Sequence, residues 1–284
     1  MTGVGNKKAV GYTIVEVMIF LAISGVMFLI AALFINGKQA STQFTQGVND
    51  LASQLQATIQ EVSNGRFPAL SSLSCTVSSG ILTIKSTTGL GQGTNSDCVF
   101  LGKVMHFSLA GNAKKYEVIP VAGQRLDASG NPVTSLANAA PTAMYDPLDP
   151  GLNSLTVQSS ISQNLSVSGM KVVDAAGTPH TGSFAFAFFT NPSTDAAASS
   201  LQNGAQTTNL YYVSGIDGNK TETNVANSIK TAGMLLPASG VAICFNEGTN
   251  RQAAIIIGKN DITSANSSQL SVEIDRSHGV TPCN

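Results

Sequence analysis

The chain has 284 residues, a formal net charge of −1, 11% charged residues against 43% hydrophobic ones, and no tryptophan. So little charge removes the electrostatic case for nucleic acid, whose binders show a basic excess. The length allows one membrane helix plus an ordinary domain, or two small ones.

The N-terminus opens with a short polar segment, residues 1–11, that carries Lys7 and Lys8 and ends in Gly11. After it comes Tyr12-Thr13-Ile14-Val15-Glu16, then an apolar run from Val17 to Ile35 broken only by Ser24 and Gly25. A helix of that length rises roughly 28 Å, close to the hydrocarbon thickness of a bilayer. Lys7 and Lys8 before the run, against Lys38 after it, favour an N-terminus inside the cell and an extracytoplasmic remainder. Glu16 is the unusual feature: a carboxylate in an apolar span costs about 2.5–3.5 kcal/mol on insertion scales and calls for a partner. A cleaved secretory signal would have a shorter apolar region followed by a small-residue cleavage site. A plain anchor explains the span but not Glu16, and a buried soluble helix would not run so long without charges.

The residues G-Y-T-I-V-E-V-M resemble the prepilin signal of type IV pilins and type II secretion pseudopilins, with Tyr12 where phenylalanine is commonest and Ala9-Val10 separating the lysines from Gly11. The resemblance covers about residues 7–64. It implies cleavage between Gly11 and Tyr12 by a prepilin peptidase, N-methylation of Tyr12, and Glu16 in the place of the family's assembly glutamate. It also implies a structural subunit, minor pilin or pseudopilin, held in the cell membrane and then assembled into a filament. Its partners would be other such subunits, the inner-membrane assembly platform and lipid. A new terminal amine at Tyr12, mostly cationic at neutral pH, could meet the Glu16 of a neighbouring subunit and fix their register. Gly25 matches a glycine position near which the family's filament helices can lose regularity, and an ordinary tolerated glycine explains it equally well.

From residue 36 to residue 64 the texture turns polar, but Phe44, Val48, Leu51, Leu55, Ile59 and Val62 recur at spacings of four and three. That is one face of a helix, so a single helix from Thr13 to Ser63 is expected, ending at Asn64-Gly65. Residues 65–284 read as a β-rich unit, with runs at Gly80–Lys85, Cys98–Leu109, Lys115–Val121, Ser154–Gln158, Leu165–Val173, Ser183–Thr190 and Leu210–Ser214. Gly240–Phe245 and Arg251–Gly258 form an expected hairpin, joined by a strand carrying Leu270, Val272 and Ile274. Ala122–Gly151 and Thr190–Asn209 read as long loops, more in keeping with solvated insertions than with a contact surface. The expected fold is α+β: a leader at 1–11, a membrane half-helix at 12–35, an amphipathic half-helix at 36–64, and an antiparallel-sheet unit at 65–284.

Four cysteines in an extracytoplasmic domain favour disulfides, and of the three pairings the sequence-local one is expected: Cys75 with Cys98, and Cys244 with Cys283. His106, His180 and His278 are scattered, with no nucleophile or metal motif beside them, so each reads as a surface or satisfied structural residue and no cofactor or catalytic set is expected. Asp217-Gly218-Asn219 and Asp146-Pro147-Leu148-Asp149 offer oxygen ligands; Asp217 and Asn219 are weak calcium candidates, with turn chemistry the stronger explanation. Two other functions compete with the filament subunit. One is a membrane-anchored binding protein or adhesin that does not polymerise; the other is an anchored enzyme with its groups gathered in a cleft.

Overall fold

The computed structural model describes residues 13–65, 73–78, 81–86, 98–108, 115–127, 129–161, 165–182, 184–190, 208–217, 219–231, 233–247, 251–259 and 270–275. The chain divides into two compact units, Met1–Thr45 and Gln46–Asn284. Helix α1, Ile14–Ser63, is unbroken through Gly25, Gly37 and Gly47. Phe44, Val48, Leu51, Leu55, Ile59 and Val62 are all buried, so the sequence stripe is the buried face of the helix. The helix stops where expected. The Asn64 N–H reaches the Gln60 carbonyl at 2.9 Å, and Gly65, at φ +60°, turns its N–H to the Val62 carbonyl at 3.0 Å.

In the second unit, strands β1 (Leu73–Ser78) and β2 (Ile81–Ser86) form a separate hairpin. The other strands are β3 (Cys98–Ser108), β4 (Lys115–Gln124), β5 (Thr142–Ala143), β6 (Val157–Ser160), β7 (Val167–Asp174), β8 (Pro179–Thr181), β9 (Ala185–Thr190), β10 (Thr208–Val213), β11 (Leu235–Glu247), β12 (Arg251–Lys259) and β13 (Leu270–Asp275). Among the described residues these eleven form one sheet with every pairing antiparallel. One ladder runs β10-β9-β3-β4, with β5 and β6 both on β4; a second runs β8-β7-β11-β12-β13. Strand β11 belongs to both: residues 235–237 pair with β10, residues 238–245 with β7, and residues 240–247 with β12. The expected three-stranded C-terminal section is therefore present as β11-β12-β13, although Leu270, Val272 and Ile274 are half-buried, as befits a strand paired on one side only.

Both faces of the first ladder are covered. On one face Met105, Phe107, Tyr116, Phe186 and Phe188 are buried, with Phe107 stacked 6.0 Å from Phe186. On that face Lys103 pairs with Glu61 of α1, and the Tyr116 hydroxyl donates to the Gln54 side chain, so residues 46–63 of the helix lie here. Leu55 is wholly buried in this layer. Leu55→Ala should lower unfolding stability by about 2–5 kcal/mol, measured by denaturant unfolding of the full chain in detergent.

The opposite face carries Val104, Ile119, Val121, Ala185, Ala187 and Phe189. It is covered by α3 (Glu222–Lys230), through Val225, Ala226 and Ile229, and by Val133, Leu136 and Ala139. Ala122–Gly151 is thus not a solvated loop. It extends β4, adds β5, and places Met144 and Ala139 at zero exposure. Residues 191–207, the body of the other expected loop, lie outside the described residues. A short helix, α2 (Pro150–Asn153), begins at Asp149, whose carboxylate accepts from the Gly151, Leu152 and Ser86 backbone N–H groups. These bonds hold the Asp149 carboxyl below its ordinary range, the Ser86 hydroxyl contributing most, and fasten the β1–β2 hairpin to the sheet.

Candidate functional site

The first candidate is the apolar part of α1. Ile14–Leu33 is 20 residues long with a mean hydropathy of 2.6 and none of it buried, long and apolar enough to cross a membrane. Phe20 and Phe28 are 70% and 73% exposed, and such a continuous apolar surface marks a contact with lipid or protein. The helix starts with a cap: the Glu16 backbone N–H donates to the Thr13 hydroxyl at 3.3 Å. Thr13 and Glu16 stand at the spacing of a capping box, a signal in the sequence beyond the assembly role read for Glu16. Glu16 lies exposed in the first turn, where the positive end of the helix dipole favours a carboxylate. Gly11 and Tyr12 lie outside the described residues.

Cys75 and Cys98 are disulfide-bonded, with Cα atoms 6.0 Å apart, joining β1 to the start of β3. Closing a loop of that size is worth about 3 kcal/mol in the chain-entropy account. Cys244 is also disulfide-bonded; Cys283, its expected partner, lies outside the described residues, as does His278. Asp217 accepts from the Asn219 backbone N–H at 2.9 Å, which is turn chemistry, and Asp146 does the same with Leu148 at 2.9 Å. Among the described residues no three His, Cys, Asp or Glu side chains gather as a metal set would. His180 Nε2 lies 2.8 Å from Asp174 Oδ2, and its ring stacks on Tyr212. That hydrogen bond is the main reason the Asp174 carboxyl is held below its ordinary range.

The second candidate is a polar cluster beneath α3 that the sequence reading passed over. His106, Glu117 and Gln158 stand side by side on β3, β4 and β6, because the register pairs His106 with Glu117 and Glu117 with Gln158. His106 is completely buried, Glu117 nearly so, and the His106 Nδ1 lies 3.1 Å from Glu117 Oε2. Glu222, in the first turn of α3, accepts from the Gln158 amide at 2.8 Å. Burial pushes the Glu117 carboxyl up; the His106 bond opposes this and the Glu222 carboxyl adds to it. Glu222 is held below its ordinary range, chiefly by the Glu117 carboxyl. His106 Nε2 is buried without a hydrogen-bond partner, so this histidine is neither the surface nor the fully satisfied residue that its isolation in the sequence suggests. The alternation within β3 and β4 was the available signal, since it puts His106 and Glu117 on inward faces.

No family model matches the chain, and no curated protein or solved structure matches it.

Proposed function

We propose that the chain is a minor pilin- or pseudopilin-like subunit, anchored in the cell membrane by Ile14–Leu33 and then drawn into a filament of a type IV pilus or secretion pseudopilus. The observation that carries this reading is a fully exposed apolar helix segment with one carboxylate, Glu16, in its first turn. One face of the same helix, from Val48 to Val62, is buried in the sheet unit. Before extraction, lipid removes most of the hydrophobic drive between helices, so packing and polar contacts decide which alignment forms. A terminal amine at Tyr12 would supply Glu16 with the cation it needs. Other subunits, the prepilin peptidase and the assembly platform are the partners this requires, with the sheet unit on the extracytoplasmic side.

Mass spectrometry of the N-terminal peptide from the native protein tests the reading. The expected result is a chain that begins at an N-methylated Tyr12. A native polypeptide that retains residues 1–11 overturns it and leaves an anchored binding protein.

A further inference from the structure

We infer that the sheet unit carries a contact for a second copy of this chain, in which the turn at residues 146–149 of one copy docks in a groove beside α3 of the other. Such a contact rests on the filament reading for its role, though not for its geometry. Among the described residues of the sheet unit, Leu148 is the most exposed large apolar side chain, at 89%; Val157 follows at 55%. A lone exposed leucine is ordinary on a protein surface. This one is held out on a braced turn.

The Asp149 N–H closes the turn on the Asp146 carbonyl at 3.0 Å, and the Leu148 N–H donates to Asp146 Oδ1 at 2.9 Å. The Asp149 carboxylate accepts from the Ser86 backbone N–H at 2.8 Å and caps α2. Just before the turn, Met144 is wholly buried, its N–H donating to the Pro120 carbonyl at 2.8 Å. Pro147 and Leu148 therefore form a tip that is already ordered, so docking it costs little further entropy.

The groove has a volume of about 690 Å³, in the range that encloses a small ligand and so a two-residue tip. Leu136 and Ile229 are buried in its walls, and Tyr211 and Leu235 are half-buried there. Among the described residues that line it, Lys230 is the one charged side chain, and none of the salt bridges among the described residues involves it. At its exposure, Leu148 stands clear of its own chain's groove. The tip is acidic and apolar, with Asp146 beside Leu148; the groove is basic and apolar. Opposite charges select the direction in which the tip enters. Tip and groove are different surfaces, so one contact leaves a groove open on one copy and a tip on the other, and the arrangement can repeat from copy to copy.

Disulfide trapping between full chains in detergent tests this. One chain carries Pro147→Cys at the tip, and the other carries Ala137→Cys on the exposed rim of the groove. Among the described residues no cysteine is free to compete. Mild oxidation of the mixture should give a linked dimer in clear excess over either chain alone, and over Pro147→Cys mixed with the exposed Val157→Cys. Adding Leu148→Ser to the tip chain should lower the yield about tenfold, the effect of burying a leucine. Asp146→Asn, which keeps the acceptor for the Leu148 N–H, and Lys230→Gln should each lower it about threefold, and both together no further than either alone. A mixture that links no better than the single chains overturns the contact, and so does a yield indifferent to Leu148→Ser. Charge losses that multiply in the double variant overturn the pairing of Asp146 with Lys230. These yields do not depend on the N-terminus, so a native chain that keeps residues 1–11 would overturn the filament and leave the contact standing.

Discussion

Glu16→Leu should stay in membranes at least as well as the native chain, yet enter filaments less than about one-tenth as often. The substitution replaces a charged group in the first turn of the span by an apolar one, so anchoring is not weakened. In the proposed filament it would also deprive an incoming Tyr12 amine of its partner, and an uncompensated buried charge costs about 3–5 kcal/mol, enough for a change well beyond tenfold. The measurement is the ratio of chain in sheared filaments to chain left in membranes, by quantitative immunoblot. Equal incorporation of the two chains would sink the registry role of Glu16, even if cleavage at Gly11 were found.

Gly102→Ala should produce the largest loss of folding stability of any glycine-to-alanine change among the described residues of the sheet unit. Gly102 stands at a bulge in β3, opposite Phe189 of β9, with φ of +157°. A Cβ there would lie 1.9 Å from the Phe188 carbonyl oxygen and 2.8 Å from the Phe189 ring. The nearest obstacle is backbone, so no side-chain rotation relieves it, and β3 and β9 must separate. Overpacking usually costs about 1–3 kcal/mol and occasionally more; this site belongs at or beyond the top of that range. Urea unfolding should show a large fall in midpoint for Gly102→Ala, whereas Gly169→Ala, which has nothing within 4 Å, serves as the tolerant comparison. Similar midpoints for the two would show that β3 and β9 part more easily than their register implies.

The helix was legible because two strong periodic signals meet in it: an unbroken apolar run, then a stripe at spacings of three and four that is buried from Phe44 to Val62. The long strands were legible for a similar reason, with Cys98–Ser108 and Lys115–Gln124 close to their expected bounds. The sequence failed where structure depends on distant partners. The nine residues of α3 are mostly Thr, Asn, Ser and Val-type residues of middling helix propensity. That helix owes its existence to the Thr221–Asn224 capping box and to three side chains sunk into the sheet. Val133, Leu136 and Ala139 recur every third residue, a spacing that neither a strand nor an α-helix produces, because a segment of turns and bends buries them. The expected strand at Ser154–Gln158 begins only at Val157, because Asp149 caps a short helix just before it. The His106–Glu117–Glu222 cluster is a product of strand register and helix placement, which no local window of sequence contains.

Strand β11 gives the sheet unit a mechanical character. Its first residues are bonded to β10 and its later ones to β7 and β12, and antiparallel ladder bonds run across the strand axis. A pull along β11 loads those bonds together in shear instead of opening them one after another. A tug on either ladder must then be borne by the other, and the two would give way under force as one piece.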